Sequence, residues 1–381
     1  MTSAADDLVS ASPPQPGRRR FVGALSAGTL AAPLLAPGAV RAAEAQSFRM
    51  QTSWPGSNLY NEFASDFARK VGEMSGGRLR IDVLPANSVV PAFSLLEAVH
   101  KGILDAAHSV PGYWYGKNPA YALFGNGPSF GMDGNLLLAW VEHGGGRQLY
   151  EELQRTMKFE VRGFLYGPMP TQPLGWFKKE PKSAADFKRL RYRTSGLAVD
   201  MYKEMGAEVL SLPAADIRQA IESGVLEAAE FVGGTPDRQL GLPEMMKLCM
   251  LQSYHQPAEC FELLFNRRKF DALAPELKAI IENAAKAASS DMAWKIAQTY
   301  SQDHLAMREK QQVRFVRTPQ SILEAQLRAW DRVIRTKSQD NPLFARIIDS
   351  QRQWASRVVG WQTEVLVPSD LAYRHYFGKP A

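Results

Sequence analysis

The sequence predicts an α/β fold of two lobes facing each other across a cleft. A long helix spans both lobes, and the C-terminal region is helical. The first observation behind this is a repeat. "EAVHKGILDAAHS" (97–109) and "QAIESGVLEAAEF" (219–231) agree at Ala98/Ala220, Gly102/Gly224, Leu104/Leu226 and Ala106-Ala107/Ala228-Ala229. Each copy reads as the end of an amphipathic helix, a glycine suited to a left-handed cap, and a short strand. Each also follows a strand with a proline-bearing loop, "RIDVLPANS" or "EVLSLPAAD". The second observation is length, since the chain behind its leader is large for one core. The third is residues 275–312, a long helical pattern without a single glycine.

Taken in order, residues 1–43 form the leader: Arg18-Arg19-Arg20-Phe21-Val22, a short apolar run broken by Pro33 and Pro37, and an alanine-rich end. That is a secretory signal of the twin-arginine type, too short and interrupted for a permanent anchor. Cleavage is expected after Ala42, Ala43 or Ala45. "FRMQTSW" (48–54) is a first strand, followed by an amphipathic helix closed by Gly76-Gly77 and by a second strand, "RLRIDVLP". "LGWFKKE" (174–180) and "RLRYRT" are strands of the second lobe, and two further helices follow the long one. Residues 44–166 are expected mainly in the first lobe and 167–265 mainly in the second. Residues 266–381 hold the long connecting helix and C-terminal helices packing on both lobes.

Composition excludes several classes. Of a net charge of +6, +4 remains once the leader, with four Arg and two Asp, is set aside. No basic stripe interleaves with aromatics, so nucleic acid is not an expected partner. Cys249 and Cys260 suit no zinc site, and they are read as two buried thiols or one bridge. No GxSxG elbow or nucleophile–base–acid cluster stands out. His255 lies near Glu259 and Cys260 only in sequence. "GYWYGKNPAYALFGNGPSFGM" (112–132) reads as core around tight turns or as a cleft wall. As a wall, Tyr113, Trp114 and Tyr115 would supply apolar cover and a hydroxyl. His108 is the first-lobe counterpart of Glu230, either structural or facing the cleft.

Ligands of open α/β sheets sit beyond the carboxyl ends of the strands. The second repeat's strand ends at Glu230-Phe231, and "RLRYRTSGL" (189–197) ends its strand at Arg193. In one lobe, both ends point into the same cleft. An arginine there is either a solvated edge or a carboxylate clamp, because its planar fork of donors matches a carboxylate.

"TQPLGWFKKEPKSAADFKRLRYRTSGLAVDMYKEMGAEVLSLPAADIRQAIESGVLEAAEF" resembles the extracytoplasmic solute receptors of TRAP transporters, with similarity across the mature chain. "GWFKKE", "LRYRTSGL" and "YHQP" with "FELLFNRRKFDALAPEL" place it nearest the 2-oxo acid and lactate branch. The resemblance implies a periplasmic receptor that closes on a small organic acid and delivers it to membrane permease subunits. It puts Arg193 on the ligand carboxylate and Gln172 on both ligand and cation. Glu230, the Phe231 carbonyl and Gln256 are the remaining ligands of a bridging Na⁺ or Ca²⁺, and no organic cofactor is implied. Phe231 stands for an expected tryptophan, and Gln256 for a common glutamate, bringing an oxygen but no charge. Gly233-Gly234 leave room for a longer acid. The branch includes dimers built on C-terminal helices, so a homodimer is expected. A periplasmic α/β enzyme acting on a small carboxylate is the alternative.

Overall fold

The computed structural model describes residues 45–378; the leader read over residues 1–43 lies outside them. The first sheet joins β1 (Gln46–Thr52), β2 (Leu79–Leu84), β3 (Ala106–Ser109), β4 (Val161–Met169) and β10 (Glu259–Asn266) in the order β2-β1-β3-β10-β4. The second joins β5 (Gly175–Phe177), β6 (Arg191–Thr194), β7 (Glu208–Ser211), β8 (Ala228–Ala229), β9 (Leu248–Leu251) and β11 (Arg314–Arg317). Its order is β11-β9-β5-β8-β6-β7.

The repeat is visible in the topology. β1 runs parallel between β2 and β3 as β6 does between β7 and β8. β10 then pairs antiparallel on β3 as β5 does on β8. Between the repeated strands lie α2 (Leu95–His100) and α6 (Ala214–Glu222), and the capping glycines adopt nearly the same left-handed φ, +73° at Gly102 and +75° at Gly224.

In the first lobe, α1 (Leu59–Met74) starts where the Asn58 side chain accepts from Tyr60 N–H, a standard cap. It buries Leu59, Phe63, Phe67 and Val71 at helical spacing. α3 (Gly134–His143), α4 (Gly146–Thr156) and α9 (Arg267–Asp271) complete this lobe. All eight residues of β10 are buried, as expected of a strand paired on both edges and covered on both faces. The second lobe adds α5 (Ala198–Glu204), α7 (Gly234–Gln239) and α8 (Leu242–Met245).

α10 (Pro275–Glu309) is 35 residues long, about 50 Å at 1.5 Å per residue. It packs on α1 and β4 of the first lobe and on α7 of the second. α11 (Gln320–Asp340) then packs against α5 and α12 (Pro342–Val365) against α4. A last helix, α13 (Ser369–Phe377), buries none of its residues. No helix among the described residues is long and apolar enough to cross a membrane.

Two strands of the first sheet reach into the span expected mainly in the second lobe. β4 keeps the first sheet going to Met169, and β10 returns the chain to it at Glu259, inside the span 167–265 assigned mainly to the second lobe. Local pattern marks a strand but not the sheet it joins, because that choice is made by distant partners. Cys249 on β9 and Cys260 on β10 belong to different sheets and are both free, buried thiols.

Candidate functional site

At the end of β6, Arg193 is buried, whereas Arg191 two residues earlier is exposed and pairs with Glu227. Arg193 Nε and Nη2 both donate to the Leu212 carbonyl, at 2.9 and 2.6 Å. Nη1 donates to Glu230 at both its carbonyl, 2.8 Å, and its Oε1, 3.0 Å. Guanidinium has five N–H groups, so these four bonds leave a single Nη2 hydrogen free. The fork expected to be open to a carboxylate is therefore largely occupied, and full bidentate capture requires Glu230 to yield its share.

Glu230, at the end of β8, is buried, and burial pushes its carboxyl up to about 7 against the opposing pull of Arg193. The loop behind it is pinned by Asp237, which accepts from Val232 N–H at 2.9 Å, Gly233 N–H at 2.8 Å and Trp176 Nε1 at 2.6 Å. This clamp fixes the Phe231 carbonyl next to Glu230.

The chain crosses between the sheets at 170–174 and 252–258, and the crossings are stitched by Gln172 N–H to the Gln256 carbonyl, 3.2 Å. Both glutamines are buried. Gln172 Nε2 donates to Glu259 Oε2 at 2.6 Å. Glu259, the first residue of β10, is pushed up to about 8 by burial and by the Glu230 charge. This carboxylate was not singled out from sequence. Its signal lay in the resemblance itself, which expects a charge near Gln256, and here the charge stands three residues later.

Aromatic rings close the space between these groups. Trp54 lies 5.7 Å from Tyr113 and 6.3 Å from Phe231, and Tyr60 lies 6.2 Å from Phe231, centroid to centroid. Trp54 follows the carboxyl end of β1, so the rule that found Arg193 applies to it as well; Tyr60 carries no such mark. Together with Gln172, Arg193, Gln256 and Glu259, these rings line a cavity of about 10 Å³. That is about the size of one water-sized sphere.

Other candidates lie elsewhere. Trp114 does not line the cavity; its Nε1 donates to Oε2 of the buried Glu262 carboxylate at 2.5 Å, and Tyr150 O–H donates to the other oxygen. His108 is buried and neutral, accepting from Trp54 Nε1 at 2.9 Å, with burial pushing it down to about 3. His255 Nδ1 pairs with Ser253 Oγ, and the Cys260 thiol donates to the Phe124 carbonyl, so no Cys–His pair exists. The room expected beside Gly234 is taken by Tyr300, whose ring lies 2.3 Å from where a Cβ would stand.

What could the cavity hold? Gln172 Oε1 and Gln256 Oε1 are buried acceptors without a hydrogen bond, a costly arrangement unless something else engages them. Two amide oxygens, two carboxylates and a carbonyl make a donor set for a hard cation. The residues present therefore fit a Na⁺ or Ca²⁺ ion.

Both rims of the cleft are tied. On one, Leu59 N–H donates to Gln239 Oε1 at 2.7 Å. On the other, Tyr115 O–H donates to Asp200 Oδ2 at 2.5 Å, and Lys337 Nζ lies 3.3 Å from the same oxygen. Gly196, at φ +65°, admits the Asn126 side chain, which accepts from Ala198 N–H; a Cβ there would stand 2.1 Å from its Oδ1. Asp200→Asn leaves the cavity intact but weakens this rim, and a charge-assisted bond is worth enough to raise the ligand off-rate about tenfold. Stopped-flow displacement checks this, and an unchanged rate would show that the rim contributes nothing to retention.

Residues 50–340 match the profile of bacterial extracellular solute-binding proteins, family 7, DctP. Over 245 residues the chain is 33% identical to the monocarboxylate 2-oxoacid-binding periplasmic protein of Nostoc sp., covering 64% of this chain and 66% of that one. A TRAP solute-binding protein from Bordetella bronchiseptica, with calcium and picolinate bound, superposes at a TM-score of 0.81. It is 25% identical and covers 87% of this chain and 97% of its own. One from Pseudoalteromonas atlantica, with sodium and pyruvate, also gives 0.81, at 26% identity over 88% of this chain and all of that one (100%). The matched span and the superposed two-sheet fold agree: the chain belongs to the DctP family of TRAP solute-binding proteins.

Proposed function

We propose that the protein is a periplasmic receptor that closes on a small 2-oxo or 2-hydroxy monocarboxylate and hands it to TRAP permease subunits without turning it over. The carrying observation is the convergence, in one buried cavity, of Arg193 with the unengaged oxygens of Gln172 and Gln256. Arg193 receives the carboxylate through its remaining Nη2 hydrogen and the share Glu230 gives up. Tyr113 offers a hydroxyl, and Trp54, Tyr60 and Phe231 exclude water. A bound Na⁺ or Ca²⁺ would offset negative charge and bridge the acid's carboxylate and adjacent oxygen. Gln172, Glu230, Glu259, Gln256 and the Phe231 carbonyl would hold it. Calcium or sodium beside an acid in the Bordetella and Pseudoalteromonas proteins supports this reading.

Two further parts belong to the proposal. The leader directs export through the twin-arginine route. A homodimer forms through the C-terminal helices, because Leu371, Tyr376 and Phe377 of α13 are exposed, as is Val367 before it. Contiguous apolar surface of this kind usually marks an interface. The Bordetella protein is described as a dimer. A monomer mass by light scattering over a wide concentration range would remove the dimer.

The central test is a thermal-shift screen of organic acids on chelator-treated protein, with and without Ca²⁺ or Na⁺. Ligand binding to the folded state raises Tm by mass action, and 2-oxo monocarboxylates should give the largest shifts, only with cation present. A turnover assay with the same acids should show no product. If no acid shifts Tm under any condition, the receptor reading fails.

A further inference from the structure

Asn126 reaches across the cleft. It follows a short 3₁₀ helix, Pro119–Phe124, that packs on α4 and α12, so its backbone belongs to the first lobe. Its side chain enters the second lobe at the turn Thr194-Ser195-Gly196, directly behind Arg193. There Oδ1 accepts from Ala198 N–H at 3.3 Å, a donor at the start of α5 that makes no bond to the side chain of Leu197 before it. The socket is shaped by glycine. Gly196 stands at φ +65°, and a Cβ on it would collide with the Asn126 amide. Asn126 is 1% exposed, yet its Nδ2 has no acceptor among the described residues. Leaving half of a buried amide unbonded is costly, so filling the core does not account for an asparagine here.

The same segment lies against the other end of the site. Asn126 N–H donates to the Ala122 carbonyl at 2.6 Å, and the Cys260 thiol donates to the Phe124 carbonyl at 3.2 Å. A Cβ on Gly125 would stand 3.5 Å from Glu259 Cγ and 3.6 Å from the Cys260 carbonyl. Residues 124–126 therefore rest on Glu259 and Cys260 at one end and enter the Arg193 turn at the other.

We propose that Asn126 is a positioning residue for lobe closure: a key on the first lobe that seats behind Arg193 when the acid is bound and leaves its socket when the cleft opens. This rests on the receptor reading and adds to it the step that retains the acid. Seated, the key fixes the turn that puts Arg193 and Ser195 on the cavity wall, while Asn126 itself does not line the cavity. It governs how long an acid stays and not which acid enters.

The test uses the full protein with Ca²⁺, and pyruvate and 4-methyl-2-oxopentanoate as probe acids. Stopped-flow kinetics and small-angle scattering are the readouts. Asn126→Ala should raise the off-rate of the bound acid about tenfold and leave the on-rate nearly unchanged. Gly196→Ala should weaken binding about 5- to 150-fold, because its methyl overfills the socket in the closed form. Scattering should then show no compaction when acid is added. The double variant discriminates. Alanine at positive φ is strained with or without Asn126, but the collision is gone, so affinity and compaction should return to the level of Asn126→Ala. A double variant no better than Gly196→Ala overturns the key. So does an unchanged off-rate in Asn126→Ala, which decides alone if Gly196→Ala does not fold. An acid-free Tm that Gly196→Ala lowers and Asn126→Ala restores also overturns it, since the socket would then be filled without ligand. Each of these results leaves the receptor reading standing, whereas a wild type that binds neither acid removes both.

Discussion

Arg193→Ala is expected to weaken binding of the acid by about 2 to 5 kcal/mol, a drop of roughly 30-fold to several thousandfold in affinity. Two losses add in that variant. The ligand's carboxylate loses its cationic partner, and Glu230 is left buried without the Nη1 donor 3.0 Å away. Arg193→Lys should also bind poorly, since an ammonium cannot hold the Leu212 carbonyl, Glu230 and a ligand oxygen in one plane. Arg191→Ala is the internal control, because its side chain is exposed and its ion pair with Glu227 lies at the surface, where such pairs contribute little. It should stay within a few-fold of wild type. Calorimetry on the three variants decides the matter. Equal losses at both positions would mean general attraction, and no loss at Arg193 would return it to a structural role.

Cation removal is expected to produce the second large effect. Glu259 lines the cavity and Glu230 accepts from its single arginine; burial already pushes both carboxyls up, to about 8 and about 7, and a bound acid adds a third carboxylate. Several buried negative charges without compensation are not tolerated at low dielectric. Chelation should therefore lower acid affinity at least tenfold. Replacing even a residue that only supports a metal ligand typically costs about 10- to 100-fold in metal affinity, so Glu259→Gln or Glu230→Gln should exceed that range. Terbium luminescence or Ca²⁺ calorimetry reads the cation directly, and acid titration of the same variants reads the coupling. Unchanged acid affinity after chelation, with Glu230→Gln binding normally, would sink the cation and spare the receptor.

Much of this site was legible in the sequence because its residues sit at strand ends, and strand ends are marked by local grammar. The repeat placed Glu230 at the close of one strand, and the Thr-Ser-Gly turn placed Arg193 at the close of another. Glu259 was harder to find. It opens a strand that belongs to the other lobe, and nothing in "YHQPAEC" states that the chain has changed sheets. Trp114 failed for the opposite reason: an aromatic in a glycine-rich stretch suits a pocket wall, but its N–H had a buried carboxylate to satisfy at Glu262. The Gly233-Gly234 pair was read as spare volume, whereas at Gly234 it accommodates a ring from α10, a helix distant in sequence.

The interleaving of the sheets also has a consequence for biogenesis. β10 pairs with both β3 and β4, so the first sheet lacks an interior strand until residues 259–266 exist. The second sheet likewise waits for β11 at residues 314–317. A ribosome releasing this chain therefore exposes unfinished halves of both sheets for most of synthesis, and neither half can complete as an independent unit from the N-terminus onward. Non-local pairings of this kind are slow to form and prone to aggregate while open. Threading such a chain unfolded through a pore would postpone every one of those pairings to the far side of the membrane. Completing them in the cytoplasm first, with chaperones at hand, and crossing as a finished body is the course that a twin-arginine leader would impose.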